Sequence, residues 1–254
     1  MRLVLYNMRY AVGGSKNFHR PIPGIGYLRR THGNLGKMVE FLADLDPDVV
    51  GLCEVDMGSY RTGNGRNQAE TIAEALGHDH VHECKYREGS FHRWIPVLKN
   101  QGNAIITRHD IEHGNFHFFT HGVKRLIIEL VTPEFRFYLV HLSLGFRTRQ
   151  RQLRFLQQLV VKSDRPVLVA GDFNTFFGEA ELYAFLNGSG LRSANMRGKP
   201  THPSHKPKRE LDFIFHDDRV EVEHFFIPDV QFSDHLPLVC DLHFRKLPQE
   251  QTKG

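Results

Sequence analysis

Eight polar residues stand where apolar runs of the sequence begin or end. Asn7 follows LVLY, Glu54 follows VVGLC, His141 follows FYLV, and Asp172 and Asn174 follow VLVAG. Asp212 opens DFIF, while Asp234 and His235 fall just before PLVCDL. Strand ends hold side chains rigidly over a common crevice. Carboxylates, amides and imidazoles gathered there suit a hard divalent cation and phosphate chemistry. Mg²⁺ prefers a few carboxylates plus water and substrate oxygens, and it neutralises charge as a phosphoryl oxygen leaves. A nearby carboxylate or imidazole can take a proton from water. The chain has neither a serine nucleophile elbow nor a catalytic-cysteine signature, so activated water is the better nucleophile. Taken singly, Asn7 and Asn174 read as turn residues, Asp212 and Asp234 as capping or solvated carboxylates, and His141 as a satisfied interior imidazole. Glu54 resists such a reading, because a carboxylate closing a buried run costs desolvation unless something pairs it. The joint pattern, rather than any one residue, carries the argument.

The elements that would position these residues alternate between strands and helices. Residues 3–6 form a short strand, and a Gly- and Arg-rich stretch over 13–36 precedes a helix at KMVEFLADL, with Met38, Phe41, Leu42 and Leu45 on one face. After Asp46-Pro47 a buried strand runs to Glu54; 57–67 reads as a loop, and a helix from Gln68 to Leu76 stops at Gly77. QGNAIITR, VKRLIIELV and EFRFYLVHL are strands, the last two joined by a hairpin at Thr132-Pro133. Helical spacing recurs over 148–162, strand VLVA follows Pro166, and a short helix covers 179–187. LDFIF, VEVEHFFI and PLVCDLHF close the series. Strands that are apolar on both faces imply sheets covered by helices. The hairpins argue against a purely parallel sheet, and neither GxGxxG nor GxxxxGK[ST] is present. We expect one domain over residues 1–246 and a polar tail over 247–254.

Composition sets the outer limits. The chain has 254 residues, 40% apolar and 24% charged, the balance of an ordinary globular protein with room for a sizeable core. No apolar run approaches the ~20 residues that span a bilayer, and no signal-peptide pattern opens the sequence. A cytoplasmic location is the expectation. Cys53 and Cys240 lie in apolar runs and Cys84 in a polar one, with no CxxC or Cys/His metal spacing. The net charge of +4 suits an anionic substrate such as nucleic acid or a phospholipid head group. Most of the 17 histidines lack ligand spacing and read as solvated surface residues.

Asn7, the Glu54 strand, GDFN (171–174), LDFIF (211–215) and SDH (233–235), in this order, resemble the endonuclease/exonuclease/phosphatase superfamily. The matching blocks cover residues 2–241. The resemblance implies an α+β, DNase I-like fold: a four-layer α/β/β/α sandwich of two packed, mostly antiparallel sheets flanked by helices. It implies a phosphoester hydrolase using Mg²⁺ or Mn²⁺, with one ion. Glu54 would be the principal metal ligand, helped by Asn7, with Asp234 a second metal-side carboxylate. Asp172 would orient or deprotonate the attacking water, Asn174 would contact the phosphate, and His235 would bind or protonate a phosphoryl oxygen. Asp212 would orient His235, and His141 resembles a histidine that such enzymes use near the phosphate.

Departures from the family pattern narrow the reading. Arg9 stands where nuclease members often carry Asp or Asn, which places a cation near the phosphate. The His141 segment replaces the tyrosine-bearing motif of abasic-site enzymes. Substrate choice falls to the loops over 13–36, 57–67, 86–99 and 199–209, where Arg61, Arg66, Arg93 and Trp94, with Arg147, are available to grip phosphates or stack on bases. A nuclease acting on DNA or RNA is the leading expectation and a lipid head-group phosphodiesterase or phosphatase the alternative; no protein partner is evident. A catalytically silent binding module fits less well, because every central position holds a competent residue. A basic groove with stacking aromatics would favour nucleic acid, and an exposed apolar rim would favour lipid.

Overall fold

The continuous apolar runs become the central strands of two six-stranded sheets in a computed structural model, which describes residues 1–14, 31–63, 65–84, 100–119 and 126–245. Arg93, Trp94, the loop at 86–99 and the tail expected over 247–254 lie outside the described residues. The strands are β1 (Arg2–Asn7), β2 (Val49–Asp56), β3 (Asp79–Cys84), β4 (Gln101–Thr107), β5 (His113–Phe118), β6 (Leu126–Val131), β7 (Arg136–His141), β8 (Val167–Asp172), β9 (Arg192–Ser193), β10 (Asp212–His216), β11 (Val220–Phe226) and β12 (Leu238–Phe244). The helices are α1 (His32–Leu45), α2 (Gln68–Leu76), α3 (Phe146–Val160) and α4 (Tyr183–Ser189). One sheet has the order β11-β12-β1-β2-β4-β3 and the other β5-β6-β7-β8-β10-β9. β1 with β2 and β7 with β8 are parallel, and the remaining neighbours are antiparallel.

Alternation within each strand explains why the central runs are apolar throughout. Leu3 and Leu5 of β1 enter a core between the sheets with Leu139, Leu168 and Ile214. Val4 and Tyr6 point the other way, onto Met38 and Leu42 of α1 and Ile72 of α2. In the second sheet Leu168 and Ala170 face the inter-sheet core, while Val167 and Val169 meet Leu153 and Leu156 of α3 and Phe185 of α4. Three apolar interfaces between four layers result, each fully buried Leu or Val contributing roughly 2 kcal/mol. Gly51 lets the sheets approach closely, since a Cβ there would stand 3.0 Å from Leu139 Cδ1 and 3.2 Å from Phe137 Cζ.

Helix α1 starts at His32, five residues earlier than KMVEFLADL, because Leu35 joins Met38 and Leu42 on the buried face. Helix α2 has the expected limits: Asn67 Oδ1 accepts from the Ala69 amide at 2.9 Å, and Gly77 closes the helix in the left-handed region. Helix α3 runs two residues ahead of its expected span, and α4 begins at Tyr183 after a 3₁₀ turn over Gly178–Leu182. No helix among the described residues is long and apolar enough to cross a membrane.

This topology brings the polar strand ends to one edge of the sandwich. β1 and β2 are parallel, so Asn7 lies beside Cys53 and next to Glu54. β12 is antiparallel to β1, so the segment that leads into it, with Asp234 and His235, returns to the same edge. In the second sheet Asp172 is flanked by His141 on one side and Asp212 on the other.

Candidate active site

Local backbone features aim the side chains. A register shift between Leu52 and Val55 in the β2–β4 pairing marks a bulge at Glu54, whose φ is +56°. Bulges re-aim side chains and bend strands, and the Glu54 amide is held by Asn103 Oδ1 at 3.3 Å. Gly171 precedes Asp172 because a Cβ there would lie 1.9 Å from the Val140 carbonyl oxygen. Asn174, at φ +51°, turns the chain away from the strand. Its side-chain amide donates to the Leu142 carbonyl at 3.0 Å, and its backbone N–H donates to Asp172 Oδ1 at 3.0 Å.

Asp172 is the hub. Its Oδ2 accepts from Asn7 Nδ2 at 3.0 Å, a bond that crosses from one sheet to the other, and lies 3.2 Å from His141 Nε2. The same His141 nitrogen is 3.8 Å from Glu54 Oε1. Asp172 and His141 are almost wholly buried, whereas Glu54 keeps 16% of its side chain accessible. Carboxylate ligand atoms of Asp172 and Asp212 and a ring nitrogen of His235 all lie within 4.8 Å of one another.

The second half of the site is an imidazole–carboxylate pair. His235 Nδ1 is 2.7 Å from Asp212 Oδ2, which also accepts from Thr201 Oγ1 at 2.6 Å. Burial alone would lower the imidazole. The Asp212 charge and hydrogen bond outweigh it, with Asp172 and Asp234 behind them, and raise the His235 pKa to about 10. The ring is therefore a cation at neutral pH. His202 packs against it, ring centroids 4.7 Å apart. Burial first, and the His235 charge next, hold His202 down at about 4, so it is neutral. The 199–209 loop and the SDH turn clamp one another: Leu236 N–H donates to Thr201 O at 2.9 Å, and Ser204 Oγ to Ser233 O at 2.6 Å. Ser233 Oγ in turn donates to the Asn7 carbonyl at 2.6 Å.

Not every expected residue takes its expected place. Asp234 lies 3.1 Å from Arg9 Nη1, and its carboxylate also groups with His202 and His235. Arg9, Tyr10 and Ala11 all have positive φ, a strained turn that Gln68 supports by donating to the Tyr10 carbonyl at 2.9 Å. Arg61 is not at the rim at all: it is wholly buried and paired with buried Asp56 at 2.7 Å. Burying an arginine requires such a partner, and this one fixes the 57–67 loop rather than a substrate. Arg66 is exposed but paired with Glu74 at 2.7 Å. Arg147 is exposed in the first turn of α3. Thr201 and His202 are site residues that sequence reasoning placed only in a substrate loop. Their signal was the run THPSHKPKRELDFIF leading directly to Asp212.

A carboxylate and amide set of Glu54, Asn7 and Asp172 fits a hard divalent cation. The buried Asp212 Oδ1 has no hydrogen-bond partner among the described residues, an unmet acceptor of the kind that marks a functional site.

Comparison with known proteins places this geometry in a family. The model of the Endonuclease/Exonuclease/phosphatase family matches residues 8–235. A UPF0294 protein of Erwinia tasmaniensis is 27% identical over 170 residues, 65% of this chain and 55% of the relative; the chain thus spans about half the length of the curated relatives it matches. Among solved structures, an endonuclease/exonuclease/phosphatase family protein from Leptotrichia buccalis has a TM-score of 0.70 at 18% identity, covering 96% of this chain and 100% of the other. The Bacteroides thetaiotaomicron mannosyl-6-phosphatase Bt3783 gives a TM-score of 0.70 at 17% identity over 96% of this chain and 100% of its own. This chain belongs to the endonuclease/exonuclease/phosphatase family, whose members are phosphoester hydrolases and generally depend on a divalent metal.

Proposed function

We propose that this chain is a Mg²⁺- or Mn²⁺-dependent phosphodiesterase acting on nucleic acid, with water as the nucleophile. The observation that carries the reading is the buried Asp172 carboxylate, fixed by Asn7, His141 and the Asn174 amide beside the His235–Asp212 pair. Glu54 and Asn7 would hold one ion, which when bound neutralises charge on the phosphoryl oxygens. Asp172 accepts a proton from the attacking water as the water oxygen bonds to phosphorus. The ester P–O bond opposite breaks, and the departing alcohol oxygen takes up a proton from solvent. The orientation of Asp172 is set before substrate arrives, so little reorganisation accompanies the transfer. His235, kept cationic by Asp212, faces a phosphoryl oxygen and stabilises the charge that builds there. Asp212 and Thr201 hold the ring, and neutral His202 limits its movement. Arg147, with the exposed rings of Phe146, Phe176 and Phe177, offers a cation and stacking faces to a polynucleotide.

One observation favours a second reading, a lipid head-group phosphodiesterase. Leu144, Phe146, Phe176 and Phe177 are all exposed, Phe177 at 82%. Phe146 and Phe176 flank the same Arg149 guanidinium, at 5.8 and 5.6 Å. These residues follow His141 and Asn174 closely in the chain, so an apolar rim stands beside the site, and such rims mark contact surfaces. The test is a parallel rate measurement in Mg²⁺ and Mn²⁺ on plasmid DNA, RNA, bis-p-nitrophenyl phosphate, inositol phosphates and sphingomyelin vesicles. Turnover of DNA or RNA supports the leading reading; turnover of vesicles alone supports the second. No turnover of any phosphodiester overturns both.

A further inference from the structure

Two strands across from β2 in the first sheet, β3 carries two histidines on one face. His80 and His82 are two residues apart, and strand alternation turns both the same way while Val81 between them packs against the inter-sheet core. Their rings lie nearly parallel, with centroids 5.1 Å apart and planes at 10°. Glu70, in the first turn of α2, comes over this face. One carboxylate oxygen of Glu70 and one nitrogen from each ring all lie within 4.8 Å of one another. Asn67 Nδ2 donates to Glu70 Oε1 at 3.5 Å, an outer contact of the kind that orients a ligating carboxylate. Glu70 and His82 also line an open cleft of about 640 Å³, together with Asn67, Glu83 and Cys84.

The chemistry of this group differs from that of the catalytic crevice. Two imidazoles and one carboxylate are poor ligands for Mg²⁺, which wants oxygen alone, and good ligands for borderline ions such as Zn²⁺. Three protein ligands facing an open cleft leave a coordination position for water. Among the described residues β3 is the last strand of its sheet, bonded only to β4, so an ion here would tie an edge strand to the helix above it.

We propose that Glu70, His80 and His82 form a second metal site, selective for a Zn²⁺-class ion and separate from the catalytic centre. Its consequence is structural: it clamps α2 to β3. α2 also carries Gln68, which supports the Arg9–Ala11 turn.

The test uses the full chain with excess Mg²⁺ present, titrated with ZnCl₂ in equilibrium dialysis and in thermal melts. Wild type is compared with Glu70→Gln, His82→Ala and the catalytic-side His235→Ala. The expected result is that Glu70→Gln and His82→Ala each weaken one Zn²⁺ equivalent at least about tenfold and lose the Zn²⁺-dependent rise in Tm, while His235→Ala retains both. Glu70 is exposed, so its Gln variant decides the matter if the half-buried His82 variant fails to fold. An unchanged stoichiometry and Tm response in Glu70→Gln, or loss of that equivalent in His235→Ala alone, overturns the proposal.

Discussion

Replacing Asp212 with Asn keeps the shape of the buried pair and removes its charge. Asp212, Asp172 and Asp234 together overcome burial and raise the His235 pKa from 6.5 to about 10. At about 1.4 kcal/mol per pH unit this amounts to roughly 5 kcal/mol in favour of the imidazolium. Asp212 is the nearest of the three, at 2.7 Å. Its share is on the order of a few kcal/mol, about a hundredfold in rate if the cation acts only on the transition state. The pH dependence has a definite sign. A raised imidazole pKa means that the pair's stabilisation is complete below about 6.5 and lost as pH rises through about 10. In Asp212→Asn, burial has less to oppose it, so the alkaline limb of kcat/KM moves down toward neutrality. The assay is kcat/KM against pH on bis-p-nitrophenyl phosphate in saturating Mg²⁺, with circular dichroism confirming the fold. A variant within about threefold of wild type at neutral pH, with an unmoved limb, would refute the reasoning.

Other perturbations test the frame around the site. Gly171→Ala puts a methyl group 1.9 Å from the Val140 carbonyl, so urea unfolding should show a loss of about 3 kcal/mol; an unchanged midpoint would mean the close approach is not real. Glu129 accepts from Tyr138, Asn115, Arg136 and His117. Burial would raise its pKa, but these partners bring it down to about 2. Its stabilisation is therefore present above about 4.5 and lost as pH falls toward 2, and the stability gap between Glu129→Gln and wild type should close over that window. Arg61→Ala leaves Asp56 buried without its cation and should cost about 3–5 kcal/mol. Arg147→Ala should leave stability within about 0.5 kcal/mol and raise KM; the opposite pattern for the two arginines would reverse their assignment.

How much of this could be read in the sequence depended on burial. β1, β2, β7, β8, β10 and β12 stood out because both faces are covered, which leaves an uninterrupted apolar run. β3 and β5, DHVHEC and HGNFHF, gave no such signal. Both are at or beside solvent at the ends of their sheets, where polar side chains discourage further pairing. The site followed the same logic. Asp172, Asp212 and His235 were visible because each breaks an apolar strand, and so was the family pattern that joins them. His202 was not, because its position beside His235 arises from a loop folding back on the SDH turn, a contact with no local signature. Arg61 misled because a basic residue in a polar loop reads as exposed, and only the fold reveals Asp56 behind it.

The central claim is that a divalent ion and the Asp172 carboxylate together activate water at this crevice. Its most direct test is the rate of bis-p-nitrophenyl phosphate hydrolysis by wild type and by Asp172→Asn, first in EDTA and then through a Mg²⁺ titration. The prediction is negligible wild-type turnover in EDTA, recovery with saturation as Mg²⁺ is added, and a rate for Asp172→Asn lower by about a thousandfold at every concentration. Undiminished turnover in EDTA, or an Asp172→Asn variant that matches wild type once Mg²⁺ is supplied, would contradict it.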